Sequence, residues 1–151
     1  MGAQLPAYAA EPIRIAVFPF QIFDTSGEDT HAGQSDRIQT ATRLLAKTLA
    51  DTGRYVPVDL APYAAEIAAL QRPDECGECW AAVARKAGAT QEVLPNVHKV
   101  STLITLMTFW FADLGSMKYV AHVAGQIRGD TDEAYARGIQ FLITEELDHP
   151  K

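Results

Sequence analysis

The sequence predicts a mixed α/β (α+β) domain built on a single mixed β-sheet of about five strands, in the order β-α-β-α-α-β-β-β-α, with the helices packed on the sheet. Three observations carry this reading. As far as Gly88, short runs rich in branched and aromatic residues alternate with stretches whose apolar residues recur every three or four positions. From Glu92 to Arg128, three strand-like runs then follow one another with only turns between them. A capped amphipathic helix ends the chain. The early alternation implies right-handed crossovers, and the late run of strands a meander.

The first strand is Ile13-Arg14-Ile15-Ala16-Val17-Phe18-Pro19-Phe20. Pro19 near its end suggests a bulge or strand exit, because proline cannot donate to a ladder. Ser35 or Asp36 is placed to cap the next helix, whose stripe is Ile38, Ala41, Leu45 and Leu49, widened by Leu44. Gly53 closes that helix. Tyr55 to Leu60 reads as a short second strand, and Ala61 to Leu70 as an alanine-rich helix with Pro62 in its first turn. Cys79 to Ala87 makes a third helix ending at Gly88. Glu92 to Val100 follows as a strand in which Pro95 points to an edge or a bulge.

From Leu103 to Phe111 both alternating sets are largely apolar, the mark of a central strand. Asp113 to Lys118 is a turn. Beyond it Tyr119, Ala121, Val123 and Ile127 alternate with Lys118, His122, Gln126 and Arg128, as in a half-buried antiparallel strand. Asp130 and Glu133 have capping-box spacing, and the last helix carries Ala134, Tyr135, Ile139, Leu142, Ile143 and Leu147 as its buried stripe. One globular domain spanning 13–149 accounts for all of these elements.

Composition narrows the function. A net charge of −6 opposes a nucleic-acid footprint, which needs a basic face, and opposes docking on anionic lipid. No apolar run reaches membrane-spanning length, so membrane insertion is not expected. No nucleophile elbow, zinc-protease helix, P-loop or dinucleotide fingerprint is found, and enzymatic activity is not expected. Residues 1–12 read as a flexible N-terminus with a signal-peptide remnant. Ala7-Tyr8-Ala9 is the small-x-small triplet of a cleavage site, and Met1-Gly2 reads as a start added upstream of the mature chain. The expected location is periplasmic.

Cys76-Gly77-Glu78-Cys79 is the only cysteine pair. In an oxidising compartment it favours a local disulfide staple. Zinc would require two more soft ligands, and thiol redox chemistry would require an activated thiolate, which the neighbouring Asp74, Glu75 and Glu78 oppose.

The stretch from Phe23 to Asp36 holds four carboxylates, one histidine and two glycines, with no lysine or arginine. An acidic, glycine-hinged loop at the end of a buried strand suits a hard cation, which takes six or more oxygens. The candidate ligands are Asp24, Glu28, Asp29 and His31, with His31 the poorest match because imidazole favours softer metals. Such a loop offers too few ligands for a closed cage. The competing reading is a solvated loop. Asp130, Asp132 and Glu133 form a second cluster that capping and the helix dipole already explain. Asp74, Glu75 and Glu78 form a third. His98, His122 and His149 share no ligand spacing.

Several elements together resemble a family of small exported proteobacterial proteins of unassigned function, related to the periplasmic lanthanide chaperone LanD. They are Ile15 to Phe20 with Asp24-Thr25-Ser26, Gly53 to Leu60, Cys76-Gly77-Glu78-Cys79, the Asp113–Lys118 hairpin and Gly129 to Glu133. The resemblance covers about residues 13 to 147, and the sheet order also looks like the N-terminal domain of TolB and like CsgG. It implies a non-catalytic periplasmic protein that binds a lanthanide(III) ion, with Ca²⁺ as a stand-in, and passes it to a periplasmic protein partner, with a homodimer as a further expectation. The alternative implied by the sheet order is a cell-envelope interaction module without metal, docking through an exposed strand edge or the hairpin around Gly115.

Overall fold

The computed structural model describes residues 11–28, 33–73 and 75–147. Within them lies one mixed sheet of six strands in the order β3-β1-β4-β5-β6, with β2 also paired to β4. The strands are β1 (Ile13–Val17), β2 (Gln21–Asp24), β3 (Tyr55–Pro57), β4 (Gln91–Lys99), β5 (Ile104–Asp113) and β6 (Lys118–Arg128). Helices α1 (Gln34–Asp51), α2 (Ala64–Ala68, entered by a 3₁₀ turn at Ala61–Tyr63), α3 (Cys79–Lys86) and α4 (Asp132–Phe141) pack on it. A single π-helical stretch, Leu142–Leu147, extends α4.

The expected first strand, Ile13 to Phe20, ends at Val17, and a further strand, β2, follows it at Gln21–Asp24, making six strands rather than about five. Val17 is level with Val93 and Gln21 with Asn96, so the chain carries one more residue than its partner between these points. Phe18-Pro19-Phe20 absorbs the excess, and both strands run parallel to β4. This break also corrects the reading of Pro95. Although β4 is paired on both sides, Phe18 N donates to Val93 O and Thr25 N to Lys99 O, so odd-numbered β4 residues face the β1–β2 side. Pro95 therefore turns its missing donor into the gap between β1 and β2. A proline sits in an interior strand at no cost in ladder bonds because the neighbouring strand is interrupted beside it.

Two apolar clusters flank the sheet. The larger, with Ile15, Leu45, Val93, Phe109, Phe111 and Ile139, lies under α1 and α4. The smaller, with Ala16, Phe18, Trp80, Val83 and Ala84, lies under α2 and α3, where the Trp80 ring meets Phe18 edge-on at 5.0 Å. The predicted stripe of the last helix is buried throughout. The wider π turn sets Leu142 and Leu147 five residues apart on the same side.

Local caps differ from expectation. Gly33, with φ of 73°, precedes α1 and no side chain caps it, and Gly53 (φ 79°) follows that helix as predicted. Thr131 rather than Asp130 caps α4, accepting from Ala134 N at 3.1 Å. Asp130 instead joins three elements: it accepts from Lys99 Nζ at 3.3 Å, Arg37 Nη1 at 3.4 Å and Tyr135 OH at 3.2 Å. Lys99 is 1% exposed, so this carboxylate compensates a buried cation. β3 ends at Pro57, short of the expected Leu60, as Asp59 turns the chain by accepting from Ala61 N at 2.9 Å.

On β6 the sequence alternation fails at its start. A bulge between Phe111 and Ala112 pairs Tyr119 with Ala112 and Ala121 with Phe111, leaving Val120 as the extra residue. Tyr119 is thereby on the opposite face from Ala121, against the Trp110 ring at 4.9 Å, and is 64% exposed.

Two stability predictions follow from this packing. A Cβ on Gly138 of α4 would fall 2.6 Å from Ile127 Cγ2 and 3.3 Å from Met107 Sδ. Gly138→Ala should lower stability by about 1–2 kcal/mol in urea denaturation, because overpacking a core outweighs the roughly 1 kcal/mol gain in helix propensity. On β4, Glu92 is buried, and its Oε2 has no hydrogen-bond partner among the described residues. Burial pushes this carboxyl up from 4.5 to about 7, partly opposed by the Arg85 charge. The folded chain then holds the proton more tightly than the unfolded one, so this stabilisation is present below pH 4.5 and is lost as pH rises through 7. Glu92→Gln should flatten that slope, adding up to about 3 kcal/mol at pH 8 and far less at pH 5.

Candidate interaction surface

The expected metal loop is tied to the protein by its own turns. Asp24 ends β2, and its Oδ1 accepts from Ser26 N at 2.9 Å and Ser26 Oγ at 2.6 Å, an Asx turn. Glu28 N donates to Ser26 Oγ at 3.1 Å, while the Glu28 carboxylate accepts from Thr102 N at 3.3 Å and also from Thr102 Oγ1. These contacts fasten the loop to the β4–β5 connection. Asp29 and His31, the other two candidate ligands, lie outside the described residues, as do Asp74 and His149. Among the described residues no group of three His, Cys, Asp or Glu side chains is placed to hold a metal ion.

The other carboxylate clusters also serve the fold. Asp130 holds Lys99, Arg37 and Tyr135, and Asp132 accepts from Arg37 Nε at 3.2 Å. Glu78 pairs with Arg85 at 3.4 Å. Cys76 and Cys79 form the disulfide expected of the staple, at the entrance to α3. His98 Nε2 is 2.7 Å from Thr25 Oγ1, and His122 stacks on the Trp110 ring with centroids 3.7 Å apart.

The sheet is covered unevenly. On the α2–α3 side those helices shelter β1 and the start of β4. The corresponding face of β5 and β6 is open, so that Ile104, Leu106 and Tyr119 are each more than a third exposed. Where covered and open halves meet, a cleft of about 330 Å³ is lined by Phe23, Arg72, Leu94, Asn96, Trp110 and Tyr119. β5 is central as expected, yet only one of its faces is packed.

The outer strand β6 is the longer of the two sheet edges, eleven residues against three in β3. Its register with β5 continues past Arg128, where Gly129 N donates to Leu103 O at 3.2 Å. Because ladder bonds alternate along an antiparallel pair, Ile127, Gly125 and Val123 turn their backbone groups toward β5. His122, Ala124, Gln126 and Arg128 turn theirs outward, and these groups have no partner among the described residues. The outward row is long, free of proline and exposed, the features that make an edge a template for another strand. The hairpin around Gly115 is a poorer docking element, since Leu114 is buried and its carbonyl accepts from Arg85 Nη2 at 2.9 Å.

The edge was not readable from the sequence, because strand order depends on contacts remote in the chain. The signal available locally was the absence of any carboxylate between Lys118 and Arg128 in an acidic protein.

Solved structures with this fold include the LpoB C-terminal domain from Salmonella enterica, at 14% identity and TM-score 0.56, covering 76% of this chain and 82% of that one. The PelC dodecamer from Paraburkholderia phytofirmans matches at 16% identity and TM-score 0.56, over 88% of this chain and 86% of that one. Lipoprotein GNA1162 from Neisseria meningitidis matches at 13% identity and TM-score 0.53, over 91% and 95%. At these identities the likeness is one of fold. No curated protein matches the chain by sequence. A family pattern does match, over residues 13–147, the span expected from the sequence resemblance. The chain belongs to the family described as Protein of unknown function (DUF2380).

Proposed function

We propose that the chain is a non-catalytic docking module of the cell envelope, and that it engages a protein partner by accepting an added strand along β6. The observation that carries this is the outward row of backbone donors and acceptors at His122, Ala124, Gln126 and Arg128. Strand addition supplies affinity through main-chain hydrogen bonds and specificity through alternate side chains. The open face beside β6, with Tyr119, Trp110 and Leu106, offers apolar surface for those side chains.

The comparisons support the envelope setting. One protein of the same fold, GNA1162, is a lipoprotein, and another, PelC, forms a dodecamer, which favours a role in assembly for this chain. The alternative implied by sheet order thus has more behind it than the lanthanide reading, for which the sequence resemblance is the main support.

Ala124→Pro tests the docking reading. Proline there removes an outward donor while leaving the bonds to β5 in place. Cross-linked co-purification from envelope extract should yield a partner with the wild-type chain, with or without chelator, and lose it with the folded Ala124→Pro variant. Retention of that partner by Ala124→Pro would overturn the reading. A partner held only without chelator would return the metal to the centre of the account.

A further inference from the structure

We infer that the segment accepted by β6 is acidic: an extended peptide in which carboxylate side chains flank an apolar residue. This rests on the strand-addition reading and names the chemistry of its partner. The charges on β6 are Lys118 and Arg128, with His122 between them and no Asp or Glu along the strand.

Beside the same edge, between β6 and α4, runs a groove of about 310 Å³. Its apolar lining includes Ile127, Leu142 and the 53%-exposed Phe141, and its polar lining includes Gln126, Arg128 and Arg137. At its floor α4 and its π-helical extension lie close on the sheet at two glycines. A Cβ at Gly138 would meet Ile127 at 2.6 Å, and one at Gly125 would meet Leu142 at 3.1 Å.

Charge complementarity selects the occupant. Arg37, Lys47, Arg85, Lys86 and Lys99 all have carboxylate partners within 3.4 Å. The side chains of Arg128 and Arg137, like those of Arg14, Arg43 and Lys118, have neither an ion pair nor a hydrogen bond among the described residues, and these two flank the β6 edge. Glu133, one turn from Arg137 on α4, makes no ion pair with it within 4 Å. Arg137 stands at the groove, while the Arg128 side chain, opposite Ile104 in the register, belongs to the open face of the same edge. Unneutralised guanidinium groups on either side of the β6 edge, on a chain of net charge −6, match carboxylates, with which arginine forms strong two-point hydrogen bonds. Pairing of β6 with the β6 of a second copy in the fully overlapping register is disfavoured by the same charges. A two-fold axis through Val123 would set Lys118 opposite Arg128, and like charges directly opposed destabilise a strand pair.

The test is a random dodecapeptide display library panned on the folded chain, followed by fluorescence anisotropy of the enriched peptides. Sequences rich in Asp and Glu around an apolar residue are expected. Their binding should weaken at least tenfold in Arg128→Glu with Arg137→Glu, weaken also in 0.5 M salt (an electrostatic dependence), and disappear in Ala124→Pro. Both arginines are exposed, so the charge reversals leave the core intact. Enriched peptides without an acidic bias that fail only on Ala124→Pro would overturn the charge inference and leave strand addition standing. Peptides indifferent to Ala124→Pro, or none enriched at all, would overturn both.

Discussion

Every other part of the sheet is aligned on β4. It bonds to β1 and then β2 on one side, both parallel, and to β5 on the other, antiparallel. Its residues alternate between the two apolar clusters, with Val93 and Val97 in the larger and Leu94 against the smaller. Its end is pinned by Lys99, whose buried ammonium meets the Asp130 carboxylate that also holds Arg37 of α1 and Tyr135 of α4. One carboxylate thus joins the sheet to both helices of the larger layer. Such a pair contributes little net attraction against a well-packed apolar substitute, yet removing one partner leaves a buried charge uncompensated.

The exposed surface follows from this arrangement. Two long helices, α1 and α4, lie along one side of the sheet, whereas α2 and α3 are short and cover only the part near β1 on the other. The meander β4-β5-β6 extends beyond that cover, so β5 is packed on one face and β6 is left as a long outer strand. Natural sheets commonly blunt such an edge with proline, short length or inward charge. β6 has no proline and runs over eleven residues; its bulge at Val120 and its charged residues stand near its ends, leaving His122 to Gln126 regular and free of Asp, Glu, Lys and Arg. An edge left open in this way is consistent with use as a binding surface.

Much of the architecture was legible in the sequence because it is local. The stripes of α1 and α4, the glycine after α1, the central position of β5 and the cysteine staple all depend on neighbours a few residues away. Three features were not legible because each depends on a remote partner. The break between β1 and β2 turns on a one-residue excess over β4 and does not interrupt the apolar run. Tyr119 changes face because β5 and β6 differ by one residue at the bulge. The edge itself is defined only once strand order is known. In the acidic loop, the hydrogen bond that Glu28 accepts from Thr102, far along the chain, was likewise not legible, whereas the turn between Asp24 and Ser26 is local.

Alternate residues of β6 present unpaired backbone groups to solvent. Residue-resolved amide hydrogen exchange measured by NMR on the isolated chain tests it most directly, since exchange reports local bonding of each N–H. The amides of Val123, Gly125 and Ile127 should be protected by β5, while those of Ala124, Gln126 and Arg128 exchange rapidly. Uniform protection along the strand in the monomeric protein would contradict the account, because it would mean that the edge is already covered.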